Sequence, residues 1–143
     1  MNINAQEAME LMKRIAKEEG LGLTFLKADE GRGGYNYGGS CGDRIMLAPF
    51  IKCGAHEKID GYIVERACDD PVECMLISFF HELSHCTIAN GLDAGRSVMQ
   101  NEIWISMTGI LHAEAKYDLE FSDAAVKWLI NENFTYEKKG GVK

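Results

Sequence analysis

The chain has 143 residues, of which 46% are apolar and 26% charged, and its formal net charge is -7. That balance fits one globular domain over residues 1 to 143, long enough to bury a core of its own. No basic cluster is long enough to follow a phosphate backbone, so nucleic acid is not expected as a direct partner, and no apolar run approaches the roughly 18 residues of a membrane span.

Residues 5 to 19 read as an amphipathic helix with Ala8, Leu11, Met12 and Ile15 on one face. Asn4 can cap it with Glu7 three residues on, and Gly20 ends it. The same N-terminal segment lacks the basic stretch followed by an apolar one that marks a signal peptide. In "LGLTFLK" (21 to 27), Leu21, Leu23 and Phe25 alternate, which predicts a strand. The glycine-rich "DEGRGGYNYGGSCGD" that follows reads as a loop or hairpin turn. "RIMLAPF" (44 to 50) is a second apolar strand ending at Pro49, and "GYIVERA" (61 to 67) is a candidate third.

The next helix start is better specified. Asp70 is the expected N-cap, Pro71 sits at the first helical position, and Glu73 is placed to complete a capping box. The helix then runs towards Gly91, a natural stop. A second long helix covers about 97 to 116, and a third begins at Ser122. One helix, two or three strands and three further helices make an α+β pattern. The five cysteines (Cys41, Cys53, Cys68, Cys74, Cys86) include no C-x-x-C pair. They are expected to be reduced thiols in a cytoplasmic protein, not a zinc ribbon.

The long helix of residues 71 to 91 carries the pentad His81-Glu82-Leu83-Ser84-His85. Residues four apart leave the same face of a helix one turn apart, so both imidazoles can reach one tetrahedral zinc. Glu82 lies beside them and outside the ligand pair, where it can take a proton from zinc-bound water and give it to a leaving amine. This is H-E-x-x-H with its three functional positions filled. The competing reading is a buried helix whose histidines are satisfied by hydrogen bonds.

Such a zinc site needs a third protein ligand and keeps its fourth position for water. Glu102 is the strongest candidate. Its helical face carries Val98, Met99, Ile105, Ser106 and Gly109, where an uncompensated carboxylate is costly and coordination removes the cost. The small Ser106 and Gly109 also allow a close approach to the pentad helix. His112, two to three turns further along, is the rival ligand, and the two cannot both face one metal. Asp93 lies very near the end of the pentad helix for this role. Tyr35, Tyr37 and Tyr117 are candidate donors to a substrate carbonyl, and Arg96 and Asn101 are candidates to orient Glu102. Cys86 reads as a buried filler.

The H-E-L-S-H pentad after an apolar helix, followed 17 residues later by Glu102, resembles a small gluzincin-type metallopeptidase. The layout of an N-terminal helix, short strands, an H-E-x-x-H helix and a Glu-bearing helix is most similar to the ImmA/IrrE group, which includes peptidase-like proteins of mobile elements, phages and bacteria. It is loosely similar to the metallopeptidase domain of ArdC-type antirestriction proteins. Carried over by residue, the resemblance implies zinc ligands His81, His85 and Glu102 with Glu82 as base. It also implies a minimal zincin-like fold whose cleft is lined by a strand, here "RIMLAPF", that pairs with an extended peptide. Ser84 stands where such pentads commonly have Gly or Ala. Asn101-Glu102 matches the start of the thermolysin-type glutamate helix, but the serine and aspartate that follow there are out of register. SprT-like proteins, with a later histidine ligand, would favour His112, but their association with DNA fits poorly with a charge of -7.

Two functions are therefore carried forward. The first is a zinc metallopeptidase acting on a peptide bond of a cytoplasmic protein. The second is a zincin-fold binding protein, weakly or not catalytic, serving a phage or mobile element against a host protein.

Overall fold

The computed structural model describes residues 3–25, 38–41, 43–47, 56–59, 62–65, 70–87 and 98–136. The first helix, α1 (Ala5–Glu18), starts as its sequence dictates. The Asn4 side chain accepts from Glu7 N, and the Glu7 carboxylate accepts from Asn4 N, a complete capping box. It stops at Gly20, whose φ of +74° is the left-handed conformation that glycine adopts without a Cβ penalty. The amides of Gly20 and Leu21 close back on the carbonyls of Lys17 and Ala16, which completes a Schellman ending.

Five short strands follow: β1 (Gly22–Phe25), β2 (Gly38–Cys41), β3 (Arg44–Leu47), β4 (His56–Ile59) and β5 (Tyr62–Glu65). They form two sheets, one ordered β1-β3-β2 and one a β4-β5 pair. β3 runs parallel to β1 and antiparallel to β2, with Ile45 opposite both Leu23 and Ser40. Two features depart from the sequence reading. Part of the glycine-rich segment is strand β2, held by main-chain pairing, and β4 adds a strand in a polar stretch. β3, from "RIMLAPF", is the central strand, so its edges are already occupied, and among the described residues the outer strands are β1 and β2.

Helices α2 (Pro71–Thr87), α3 (Val98–Tyr117) and α4 (Asp123–Tyr136) complete an α+β fold. Asp70 caps α2 as expected, its Oδ1 accepting from Val72 N and Glu73 N. Glu73, expected to close a capping box, is turned to α4 instead. Its carboxylate accepts from the amide and hydroxyl of Ser122, the residue that caps α4. One carboxylate thereby satisfies the start of a second helix and ties the two N-termini together.

Residues 73 to 84 of α2 are all buried, including Met75, Leu76, Ile77, Phe79, Phe80 and Leu83 at 0% exposure. A helix buried on every side, its polar Glu73, Ser78, His81, Glu82 and Ser84 included, lies at the centre of a fold. Here α1, the larger sheet, α3 and α4 surround it. Among the described residues, no helix is long and apolar enough to cross a membrane.

Candidate metal centre

Two helices build the site. α2 supplies His81 and His85 from one face, their rings 5.0 Å apart and nearly perpendicular. α3 supplies Glu102, whose carboxylate bridges the two imidazoles. Oε2 lies 2.9 Å from His81 Nε2, and Oε1 lies 3.2 Å from His85 Nε2. The helices come this close because α3 presents Gly109 at the crossing. A Cβ there would stand 2.5 Å from the Phe80 carbonyl oxygen and 3.2 Å from His81 N. The sequence expectation of a close approach is met, and Ile105 and Ser106 are fully buried at the same crossing. Val98 and Met99, named with them, begin α3, and their side chains lie outside the described residues.

His81, His85 and Glu102 offer ligand atoms that all lie within 4.8 Å of one another, so the triad can hold a metal ion. Tetrahedral zinc with bonds of about 2.0–2.1 Å separates its ligand atoms by roughly 3.3 Å. The nitrogen–oxygen separations of 2.9 and 3.2 Å run to different oxygens of Glu102, so they bring both imidazoles to one carboxylate without forming two edges of one such tetrahedron. Two imidazole nitrogens and one carboxylate oxygen are also the donor types that a borderline divalent cation selects.

Electrostatics keep the carboxylate ionised. Burial raises the Glu102 pKa, but hydrogen bonds from His81 and His85 and their positive charge outweigh it and bring the value down to about 2. Glu82 is 9% exposed and follows His81 directly on α2. Behind the ligands, His81 Nδ1 lies 2.8 Å from the hydroxyl oxygen of Ser106, and that hydroxyl donates to the Glu102 carbonyl at 2.9 Å.

His112 is elsewhere. It stands about 15 Å further along α3 than Glu102 by the helical rise, and its Nε2 meets Glu19 Oε2 at 3.1 Å. Tyr117, a candidate carbonyl donor, gives its hydroxyl to the same Glu19 oxygen at 3.0 Å. Both belong to a contact between the end of α1 and the end of α3, and neither joins the triad. Tyr35, Tyr37, Asp93, Arg96 and the side chain of Asn101 lie outside the described residues. Sequence reasoning missed the polar part of Ser106, which it used only as a small residue. The signal was present, because a serine four residues after Glu102 shares its helical face. Compared with known proteins, the chain matches no family model, no curated protein and no solved structure.

Proposed function

We propose that this domain is a zinc-dependent metallopeptidase of minimal zincin-like architecture, gluzincin in type and similar in layout to the ImmA/IrrE group. The convergence of His81, His85 and Glu102 from two helices, with Glu82 next in sequence to the first histidine, carries this reading. The three ligands would hold zinc and leave its fourth position to water. Zinc bound there supplies a Lewis acid that brings the pKa of that water to about 7.

The protein's own groups do the rest. Glu102, held ionised, contributes the one negative charge of the ligand set. Glu82 takes the proton of the attacking water and passes it to the departing amine, a role worth about 10²–10⁴-fold in rate. An extended or locally unfolded segment of a protein substrate would align on β2, which among the described residues is the outer strand that contacts α2.

The test pairs metal analysis with hydrolysis. One zinc per chain is expected, lost in His81→Ala and Glu102→Ala and retained in His112→Ala. Glu82→Gln is expected to keep its zinc and lose hydrolysis by about 10²–10⁴-fold. Full hydrolytic activity in Glu82→Gln would falsify the mechanism. Biological activity that survives Glu82→Gln, but not changes on an exposed surface, would select the binding-protein function instead.

A further inference from the structure

We propose that Gly38 sets the substrate class of this site: the substrate residue paired opposite it carries a bulky apolar side chain (Phe, Trp, Leu or Met), which covers the glycine on the face of the sheet turned to α2. The inference rests on the peptidase reading above and names a side chain which that reading leaves open. β2 runs antiparallel to β3, with Gly38 opposite Leu47 and Gly39 opposite Met46. Residues directly opposite one another in such a pair share one face of the sheet. Ile45 and Leu47 are fully buried, in one core cluster with Met75, Ile77 and Phe79 of α2. Arg44 is exposed and Met46 half-buried. The row of Gly38 and Leu47 therefore lies on the side of α2, the helix of His81, Glu82 and His85. The row of Gly39 and Met46 lies on the other face.

A substrate segment paired with β2 adds a strand on the side away from β3. Its main-chain hydrogen bonds are blind to sequence, so selection falls to the rows of side chains. Strands lie about 4.8 Å apart, so the added strand stands roughly 9.6 Å from β3 with β2 between them. In the Gly38 row, the strand between contributes no side chain. A small substrate residue there leaves bare main chain on the α2 side. A large one leans across Gly38 towards Leu47 and covers it, as aromatic side chains do over glycines of a paired strand.

Glycine weakens a strand, and where it stands in one it often marks a close approach of a ligand or of another backbone. β2 has two in succession, and among the described residues it is the outer strand beside α2. The second glycine also supplies a control. Valine at position 39 enters the same strand with the same backbone consequences, but on the opposite face of the sheet.

The test digests a random octapeptide library with the full-length, zinc-loaded protein and reads the cleavage sites by mass spectrometry. Wild type is run beside Gly38→Val and Gly39→Val, each with its zinc content and melting midpoint. In wild type, bulky apolar residues should exceed glycine and alanine about 2–5-fold at one fixed position relative to the cut bond. Gly38→Val should lose that preference and Gly39→Val should keep it. Cleavage by wild type without such a position overturns the proposal alone. A preference that survives Gly38→Val overturns it too. So does one lost equally in Gly39→Val, because the effect is then one of the strand's backbone. If Gly38→Val does not fold, Gly38→Ala takes its place, with a smaller loss expected. If neither folds, the glycine serves the contact between β2 and α2, and the proposal is overturned. If wild type cleaves no peptide, the peptidase reading itself falls and takes the proposal with it.

Discussion

Glu102 shows how competing effects settle at one residue. Its side chain is 22% exposed, and burial by itself raises a carboxylate pKa. Two charge-assisted hydrogen bonds win, and the value falls from 4.5 to about 2. The sign of the linkage follows from that direction. A depressed carboxylate pKa adds stability that is fully present above the ordinary value and is lost as pH falls through the folded value. Metal-free protein should therefore lose this contribution progressively between about pH 5 and pH 2, and Glu102→Gln should lose less across that window. Urea midpoints measured against pH in the presence of a chelator check this. Parallel curves for the two proteins would remove Glu102 as a source of acid sensitivity.

The same scale explains what the sequence made legible. The pairing of His81 and His85 was readable because a helix turns their spacing into geometry without outside help. Glu102 was readable because a carboxylate amid Ile105, Ser106 and Gly109 needs a cation or a partner. The position of Ser106 on the face of Glu102 was readable, but its contact with His81 was not, because that depends on how α3 is rotated against α2. His112 misled for the same reason. Its partner, Glu19, is 93 residues away in sequence, and no local spacing announces that contact.

At the scale of elements, capping and stop signals act within a few residues, so α1 and the start of α2 were legible almost to the residue. Glu73 shows the limit. A capping-box residue has two places to send its carboxylate, and tertiary structure chose Ser122 on α4. Strand β2 was hidden because Gly38, Gly39, Ser40 and Cys41 carry no alternating apolar pattern. Its pairing with β3 is a matter of main-chain hydrogen bonds, and it makes β2 and β1, not β3, the outer strands among the described residues.

The α2–α3 crossing yields a prediction at the same scale. Gly109→Ala gains about 1 kcal/mol of helix propensity. Against that gain, the new Cβ would meet the carbonyl oxygen and carbon of Phe80 at 2.5 and 2.8 Å. Main-chain atoms cannot swing aside as a flexible side chain can, and overpacking of this kind costs about 1–3 kcal/mol. The clash should win, with net destabilisation of up to about 2 kcal/mol. Because α3 carries Glu102, zinc affinity should fall in the same variant. Denaturant unfolding and a zinc titration on one preparation check both effects. A Gly109→Ala protein as stable as wild type would mean that the helices do not cross this closely.

At the scale of the whole molecule, the N-terminal helix must be joined to a fold whose centre is α2. Apolar contact does part of this through Ala8, Met12, Ile15 and Ala16. A polar latch does the rest at the far end of α3. Glu19 Oε2 receives His112 Nε2 at 3.1 Å, Lys116 Nζ at 3.0 Å and Tyr117 OH at 3.0 Å. Burial raises the Glu19 pKa, but the hydrogen bonds from Lys116, Tyr117 and His112 outweigh it, and the net shift is downward. The stabilisation is therefore complete above about pH 4.5 and lost as pH falls below it. Glu19→Gln keeps the shape and removes the charge, so at pH 7 it should lower the melting midpoint by roughly 3–6 °C, as expected for about 1 kcal/mol in a domain of this size. The gap between variant and wild type should narrow as the pH is taken down towards 3. Zinc affinity should not change, since His112 stands about 15 Å along α3 from Glu102, and sites so separated act independently. A Glu19→Gln variant that lost zinc would show that the latch and the metal centre share one cooperative element, and that α1 belongs to the machinery of the site.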